Sequence, residues 1–343
     1  MATHKNINPF SKSNNDTGFG TNAREVGGRF VNRDGSYNLR KEGISLMHRY
    51  DIYHIMLNMP RWKFITTIFI FYVLANLIYT SIYWMVGSDQ LTGMIAATPW
   101  AKFKELFFFS TETFTTVGYG RVNPMGDGAN VVAAIEAMSG FLSFAVATGL
   151  IYGRFSKPKS YLAFSNHALV SPYQDKTALM FRFASYKENH ALTDVEIRVT
   201  IGLQLRENGG EPMYKFYSLE LERSRVDNLP MNWTVVHPID EKSPLLGFSH
   251  DDMKIADVEL YVLVRGFDDV FSSIVQQRTS YVYGEILFDR KFIPMYHESE
   301  DGKTTILELQ KLHEHVKVEG KRRKVEGEEE SKDEQGTRNK AQV

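Results

Sequence analysis

The chain has 343 residues, 43% of them hydrophobic and 24% charged, with a net charge of −1, no cysteine and a mean hydropathy of −0.29. These averages exclude a wholly disordered chain, a collagen-like repeat and a many-helix transporter, and the missing cysteines exclude disulfides, thiolate metal sites and cysteine nucleophiles. A charge balance near zero gives no electrostatic case for binding nucleic acid. In chain order, residues 1–28 are rich in Asn, Gly and Ser and read as a disordered arm. Over 44–59, Ile44, Leu46, Met47, Tyr50, Tyr53, Met56 and Leu57 recur at helical spacing before Pro60. This is the pattern of an amphipathic helix lying on a membrane, although a helix packed on a soluble domain shares it.

Residues 64–86 follow with no Asp, Glu, Lys or Arg. A bilayer core about 30 Å thick needs roughly 20 helical residues, so this stretch is long enough to span. A second stretch, 129–152, has Glu136 as its one charge and is rich in Gly, Ala and Ser, which let helices approach closely. Residues 1–63 carry ten Lys or Arg against five acids, and Arg154, Lys157 and Lys159 follow the second span. Only Lys102, Lys104 and Arg121 lie between the spans. The positive-inside rule therefore places both termini in the cytoplasm of a cell (plasma or inner) membrane.

The loop between two spans should be polar. Instead Trp100, Phe103, Leu106, Phe107, Phe108, Phe109 and Phe114 give an amphipathic helix signal over 99–115, with Pro99 where a helix start tolerates proline. Too short to span, it reads as a re-entrant helix, and Thr116-Val117-Gly118-Tyr119-Gly120 follows directly. Non-helical backbone at membrane depth survives only where it lines a cavity or is buried in protein.

This pentapeptide resembles the selectivity filter of potassium channels. In such a filter carbonyl oxygens point at one axis and replace the hydration shell of K+. Gly118 and Gly120 supply backbone angles that other residues resist. Thr116 adds a hydroxyl, and the side chains of Val117 and Tyr119 are expected to pack against the short helix. K+ is thereby expected at Thr116, Val117, Gly118 and Tyr119, with no other cofactor. One chain supplies one quarter of a filter, so the pattern implies a homotetramer. A Glu112–Arg121 pair behind the filter is expected to hold the loop, the alternative being a solvated Arg121.

Between 160 and 300, segments 178–185, 194–205, 213–221, 256–266 and 280–288 are rich in Val, Ile, Tyr, Phe and Thr, with turn residues such as Asn208-Gly209-Gly210 between them. This spacing predicts a β-sandwich. No GxGxxG occurs, which counts against a nucleotide-binding regulatory domain. The sequence resembles the inward-rectifier potassium channels, in their prokaryotic, KirBac-like branch. The likeness is carried by Arg29–Gly35, Glu112–Gly120, Arg154–Lys159, Trp233–Leu245, Arg278–Tyr281 and Glu285–Leu287, and runs over about residues 29–316.

The resemblance implies a two-span pore with a re-entrant pore helix, joined to an immunoglobulin-like cytoplasmic β-sandwich. The expected divisions are 29–63 (N-terminal strand and interfacial slide helix), 64–156 (pore domain), 157–316 (β-sandwich) and 317–343 (a disordered, charged tail). On the second span Gly140, Phe144, Thr148 and Tyr152 recur every four residues, drifting by about 40° per step. The family register makes Gly140 the inner-helix hinge and Tyr152 the constriction, and puts Phe144 where strong rectifiers carry an acid. Glu136, an intramembrane acid, lies on the ion path or is bonded behind the filter. In the cytoplasmic pore, Asp194 and Glu196 alternate on one strand and either attract cations or form solvated surface. Arg265-Gly266-Phe267 matches the family's cytoplasmic girdle, where strong rectifiers often have an acid at Arg265. Both departures predict weak polyamine rectification.

Arg61, Trp62 and Lys63 enter the first span, and Arg154, Lys157 and Lys159 leave the second. This basic cluster suits anionic lipid headgroups, phosphoinositides in the family, although topology alone also places bases here. His237 reads as a packed core histidine and His313-Glu314-His315 as a solvated helix face. No enzyme constellation is visible. The competing function is a membrane-anchored ligand-binding or sensor protein, whose spans would have no use for a filter.

Overall fold

The computed structural model describes residues 7–14, 28–43, 51–188, 190–205 and 213–318. Two compact units divide the chain, one of Arg40–Lys157 and one of Met1–Leu39 with Pro158–Val343.

In the helical unit, α1 (Ile52–Asn58) starts at Asp51, whose carboxylate accepts the His54 N–H. The remainder of the expected slide helix, 44–50, lies outside the described residues. Pro60 cannot continue α1 and stands at the start of α2 (Arg61–Val86), which stops at Gly87 with φ of 106°. Helix α3 (Pro99–Phe114) begins with Thr98 accepting the Ala101 N–H, and α4 is Asp127–Phe155. Helices α2 and α4 overrun the apolar stretches 64–86 and 129–152 by two or three residues at several ends, since hydrogen bonding continues through the polar flanks. Both are long and apolar enough to cross a membrane. A small core forms where α2, α3 and α4 meet, from Tyr83, Leu106, Phe109 and Ala129.

The other unit is a sandwich of two five-stranded sheets. Its strands are β1 (Leu162–Phe164), β2 (Ala168–Tyr173), β3 (Lys176–Ser185), β4 (Leu192–Leu205), β5 (Met213–Ser218), β6 (Arg225–Leu229), β7 (Asn232–Ile239), β8 (Glu259–Asp268), β9 (Ser273–Val282) and β10 (Ile286–Phe288). One sheet runs β9-β8-β4-β5 with β6 also on β4; the other runs β10-β2-β3-β1 with β7 also on β3. Alternate residues of β4 (Val195, Ile197, Val199, Ile201, Leu203) face a core that includes Phe181, Phe183, Leu260 and Val262. The segment expected as one strand over 280–288 is split by a 3₁₀ turn, Tyr283–Glu285. Residues 256–258 follow a short helix, His250–Ile255, which Ser249 and Asp252 close with a capping box.

Two expected boundaries are corrected. Disorder over 1–28 does not hold for 7–14: the Asn14 N–H donates to Phe216 O at 2.8 Å and the Ser218 N–H to Lys12 O at 3.0 Å. β5 ends its sheet path, and the segment adds to that open edge. Residues 29–39 are not continuous with the slide helix but belong to the β unit. Arg29 reaches both Glu285 oxygens at 3.0 Å, and the Phe30 and Val31 N–H groups donate to the Glu259 carboxylate. Of the expected tail, residues 319–343 lie outside the described residues.

Candidate functional site

The filter segment leaves the end of α3 with its amides turned backward. Thr116 N–H donates to Thr113 O (3.0 Å), while Val117 N–H (2.9 Å) and Gly118 N–H (3.2 Å) both donate to Glu112 O. These bonds satisfy carbonyls that a helix end otherwise leaves open. The left-handed region is visited at every second position, with φ of 60° at Thr116, 54° at Gly118 and 83° at Gly120. Alternating handedness in this way lets successive carbonyls point to one side. Glycine is at ease there; a β-branched threonine is not, at a cost of about 1–2 kcal/mol.

Two expectations about the filter's surroundings are corrected. In the single chain the side chains of Val117 (53%) and Tyr119 (80%) are exposed and not packed, and backbone amides make the join to α3. Glu112 acts through its carbonyl oxygen, not as the partner of Arg121. Arg121 instead pairs with Glu105 at 2.7 Å. Glu105 also accepts the Ile95 and Ala96 N–H groups at 3.2 and 3.1 Å, so one carboxylate joins the loop before α3 to the residue after the filter. Sequence reasoning passed over Glu105; its place in an aromatic run, where an acid serves no packing purpose, was the available signal.

Glu136 is fully buried, held by side chains of α2 and α3. Tyr83 donates to one carboxyl oxygen at 2.7 Å and Ser110 to the other. One turn later Gly140 lies against the Phe114 backbone, where an added Cβ would come within 1.9 Å of the Phe114 oxygen. Gly140 therefore does not line an open face with Phe144, Thr148 and Tyr152. The drift of the four-residue spacing separates them: Phe144 and Tyr152 are exposed (73% and 72%), as is Thr148.

Among the residues expected to meet lipid, Arg61, Trp62, Lys63 and Lys159 are exposed. Arg154 is committed elsewhere: its guanidinium donates to Met56 O (2.6 Å) and Met59 O (2.7 Å) and lies 4.5 Å over the Phe64 ring. Carbonyls at the C-terminal end of α1 attract a cation, which corrects its reading as a free lipid ligand. Lys157 donates to the Asn58 side chain at 2.7 Å.

Asp194 and Glu196 do not alternate regularly. Register shifts between Arg265 and Phe267, so Asp194 and Val195 together oppose Gly266, and Asp194 takes φ of 49°. Asp194 pairs with Arg225 (2.7 Å) and Glu196 with Arg198 (2.8 Å), and Arg265 lies across from Glu196. Two acids thus sit among three arginines. Gly266 is buried against Val195 and Leu192, and Phe267 is exposed. At the adjoining β8–β9 turn, buried Asp268 bonds His190 at 2.9 Å and accepts the Val270 and Phe271 N–H groups. Burial would raise that carboxyl; the His190 and amide hydrogen bonds outweigh it and hold it below the usual range. His237 is buried between Glu220 O (2.6 Å) and Ser243 Oγ (2.8 Å), the packed histidine expected. His313 accepts the Asn166 N–H at 3.2 Å, and among the described residues no acid–histidine group suited to a metal occurs.

Known proteins match over the same regions. The family model "Inward rectifier potassium channel C-terminal domain" matches residues 162–334, and that of "Ion channel" residues 64–157. The inward rectifier potassium channel Kirbac3.1 of Paramagnetospirillum magnetotacticum is 32% identical over 287 residues, 83% of this chain and 95% of its own length. ATP-sensitive inward rectifier potassium channel 14 of Mus musculus is 28% identical over 293 residues, 78% of this chain and 66% of its own. Its Homo sapiens counterpart is likewise 28% identical, with 65% of its length covered.

Proposed function

The chain belongs to the inward-rectifier potassium channel family, and from that premise we propose that four copies assemble around one axis, each giving Thr116–Gly120 as a quarter of a K+-selective filter. The protein is a potassium channel and not an enzyme; K+ is the permeant ion. The observation that carries the assembly is the backbone of 116–120, with the amides of its first three residues drawn back to α3 and left-handed angles at every second residue. Among the described residues the carbonyls of 116–119 accept no hydrogen bond, only Gly120 O being taken, by the Asn123 side chain at 2.6 Å, and a ring of four such segments replaces a hydration shell.

Phe144, Thr148 and Tyr152 line the inner pore, and four Tyr152 rings close it by dewetting. Both termini are cytoplasmic. Arg61, Trp62, Lys63, Lys157 and Lys159 face anionic headgroups, while Arg154 holds α1 to the end of the inner helix. Phe144 and the arginines around Glu196 leave polyamines without an acidic site, so rectification is weak. A barium-sensitive rubidium flux into liposomes, with Gly118→Ala as control, tests the filter; flux from wild type and none from the variant is expected. Equal flux from both, or a monomer that conducts, would reject the reading.

A further inference from the structure

We propose that Glu136 is a positioning residue of the filter: its carboxyl, through Ser110, fixes where the end of α3 delivers Thr116–Gly120. The inference rests on the pore reading above. Glu136 is fully buried on α4, with Ser110 and Tyr83 donating to its two oxygens. Ser110 Oγ also lies 3.1 Å from Asn76 Oδ1, and Tyr79 and Ser139 are hydrogen-bonded at 2.9 Å on the neighbouring turn. The groups facing the acid are thus hydroxyls and an amide from α2 and α3, and among the described residues no basic side chain pairs with it.

An acid among spanning helices is costly, and Leu or Met would fill the volume without that cost. What the acid adds is a fixed register. Ser110 and Phe114 are successive turns of α3, and they meet Glu136 and Gly140, successive turns of α4. A slip of one residue along either helix moves the contacts by about 1.5 Å, enough to lose the hydrogen bond and drive Gly140 onto a side chain. Phe114 lies two residues before Thr116, so any such slip reaches the filter directly. Glu136 itself stays off the ion path.

The test is the sodium-to-potassium permeability ratio of intact tetramers in planar bilayers. Glu136→Leu should raise the ratio about fivefold, the worth of roughly one hydrogen bond, and Ser110→Ala by a similar factor. Glu136→Gln, which keeps an acceptor for Ser110, should stay near wild type. The double variant Glu136→Leu/Ser110→Ala should match Glu136→Leu alone. An unchanged ratio in Glu136→Leu, or effects that simply multiply in the double variant, would overturn the proposal. If Glu136→Leu does not assemble, Ser110→Ala is compared with Tyr83→Phe, which holds the acid from α2. A shift in the first only supports the proposal; a shift in neither, or in both alike, rejects it. Wild-type selectivity reports the pore reading, and the ratio between variants reports this one.

Discussion

The β unit and the helical unit invert each other's chemistry. In the β unit Phe181, Phe183, Ile201 and Leu203 are buried, and the outside carries ion pairs such as Asp194–Arg225. In the helical unit Phe69, Phe71, Ile78 and Phe141 face outward, while Asn76, Thr80, Ser110 and Glu136 are buried. The same side-chain preferences produce both arrangements once the surroundings change from water to hydrocarbon. In lipid an apolar surface needs no cover and every polar group must find a partner inside.

Two glycines offer the strongest way to break the contrast. An alanine Cβ at Gly140 would sit 1.9 Å from a backbone oxygen, which cannot move without moving the filter. At Gly202 on β4 it would meet the Phe216 and Tyr261 rings at 3.1 and 3.2 Å, side chains that can give way. Gly140→Ala should abolish potassium flux and lower tetramer yield. Gly202→Ala should cost about 1–3 kcal/mol and leave selectivity intact. Flux assays and urea pulse proteolysis of both variants check this; a conducting Gly140→Ala channel would show that α3 and α4 are not in rigid register.

A pair of phenylalanines sharpens the same contrast. Phe183→Ala empties a fully buried site and should destabilise the β unit by about 3–5 kcal/mol. Phe144→Ala removes an exposed ring and should change stability by less than about 1 kcal/mol while altering conduction. Pulse proteolysis gives the first quantity and bilayer recordings the second.

Much of this inversion was legible in the sequence, because a run of apolar residues without charge and an alternation with period two report the surroundings of each element directly. The filter was legible for a different reason: residues at 116–120 are chosen by backbone angle, which Gly118 and Gly120 advertise. Pairings between distant residues were not legible. Glu112 was the nearer acid to Arg121 in sequence, but the chain runs back along α3 after the filter, and Glu105, about 10.5 Å further up the same helix face, is the one that meets the guanidinium. Arg154 likewise read as a free base because helix-end carbonyls leave no trace in side-chain patterns. The bulge at Asp194 shifted the face of an acid that simple alternation had assigned.

His237 tests burial in the β unit by pH. Burial pushes its imidazole below the ordinary 6.5, so the folded chain holds it neutral between Glu220 O and the Ser243 hydroxyl. Above about pH 6.5 folded and unfolded chains are both neutral there, and the contribution is constant. As pH falls below that value the unfolded chain takes up a proton the folded one resists, and stability is lost. The urea midpoint of the β unit should therefore decline from pH 7 to pH 5.5, and His237→Gln should flatten that decline even if it lowers the midpoint throughout. An unchanged slope would assign the decline to other groups.

The smallest effect on stability belongs to the exposed charges around Glu196, and it carries the largest functional contrast with them. Surface pairs such as Glu196–Arg198 contribute within about 1 kcal/mol, so Arg265→Glu should barely move the urea midpoint. Its electrostatic effect is of another order. Two acids among three arginines give the patch a charge of +1 per chain, and the substitution makes it −1, three acids against two bases. Repeated around a fourfold axis, the change is −8 at the mouth of one aqueous passage, where charges of one sign focus the field on a multivalent cation. Spermine block, proposed above to be weak in wild type, should then become strongly voltage-dependent, and 1 M salt, with a screening length of about 3 Å, should weaken it again. Current–voltage curves with and without spermine decide the matter: if Arg265→Glu channels remain unblocked, this patch does not line the ion path.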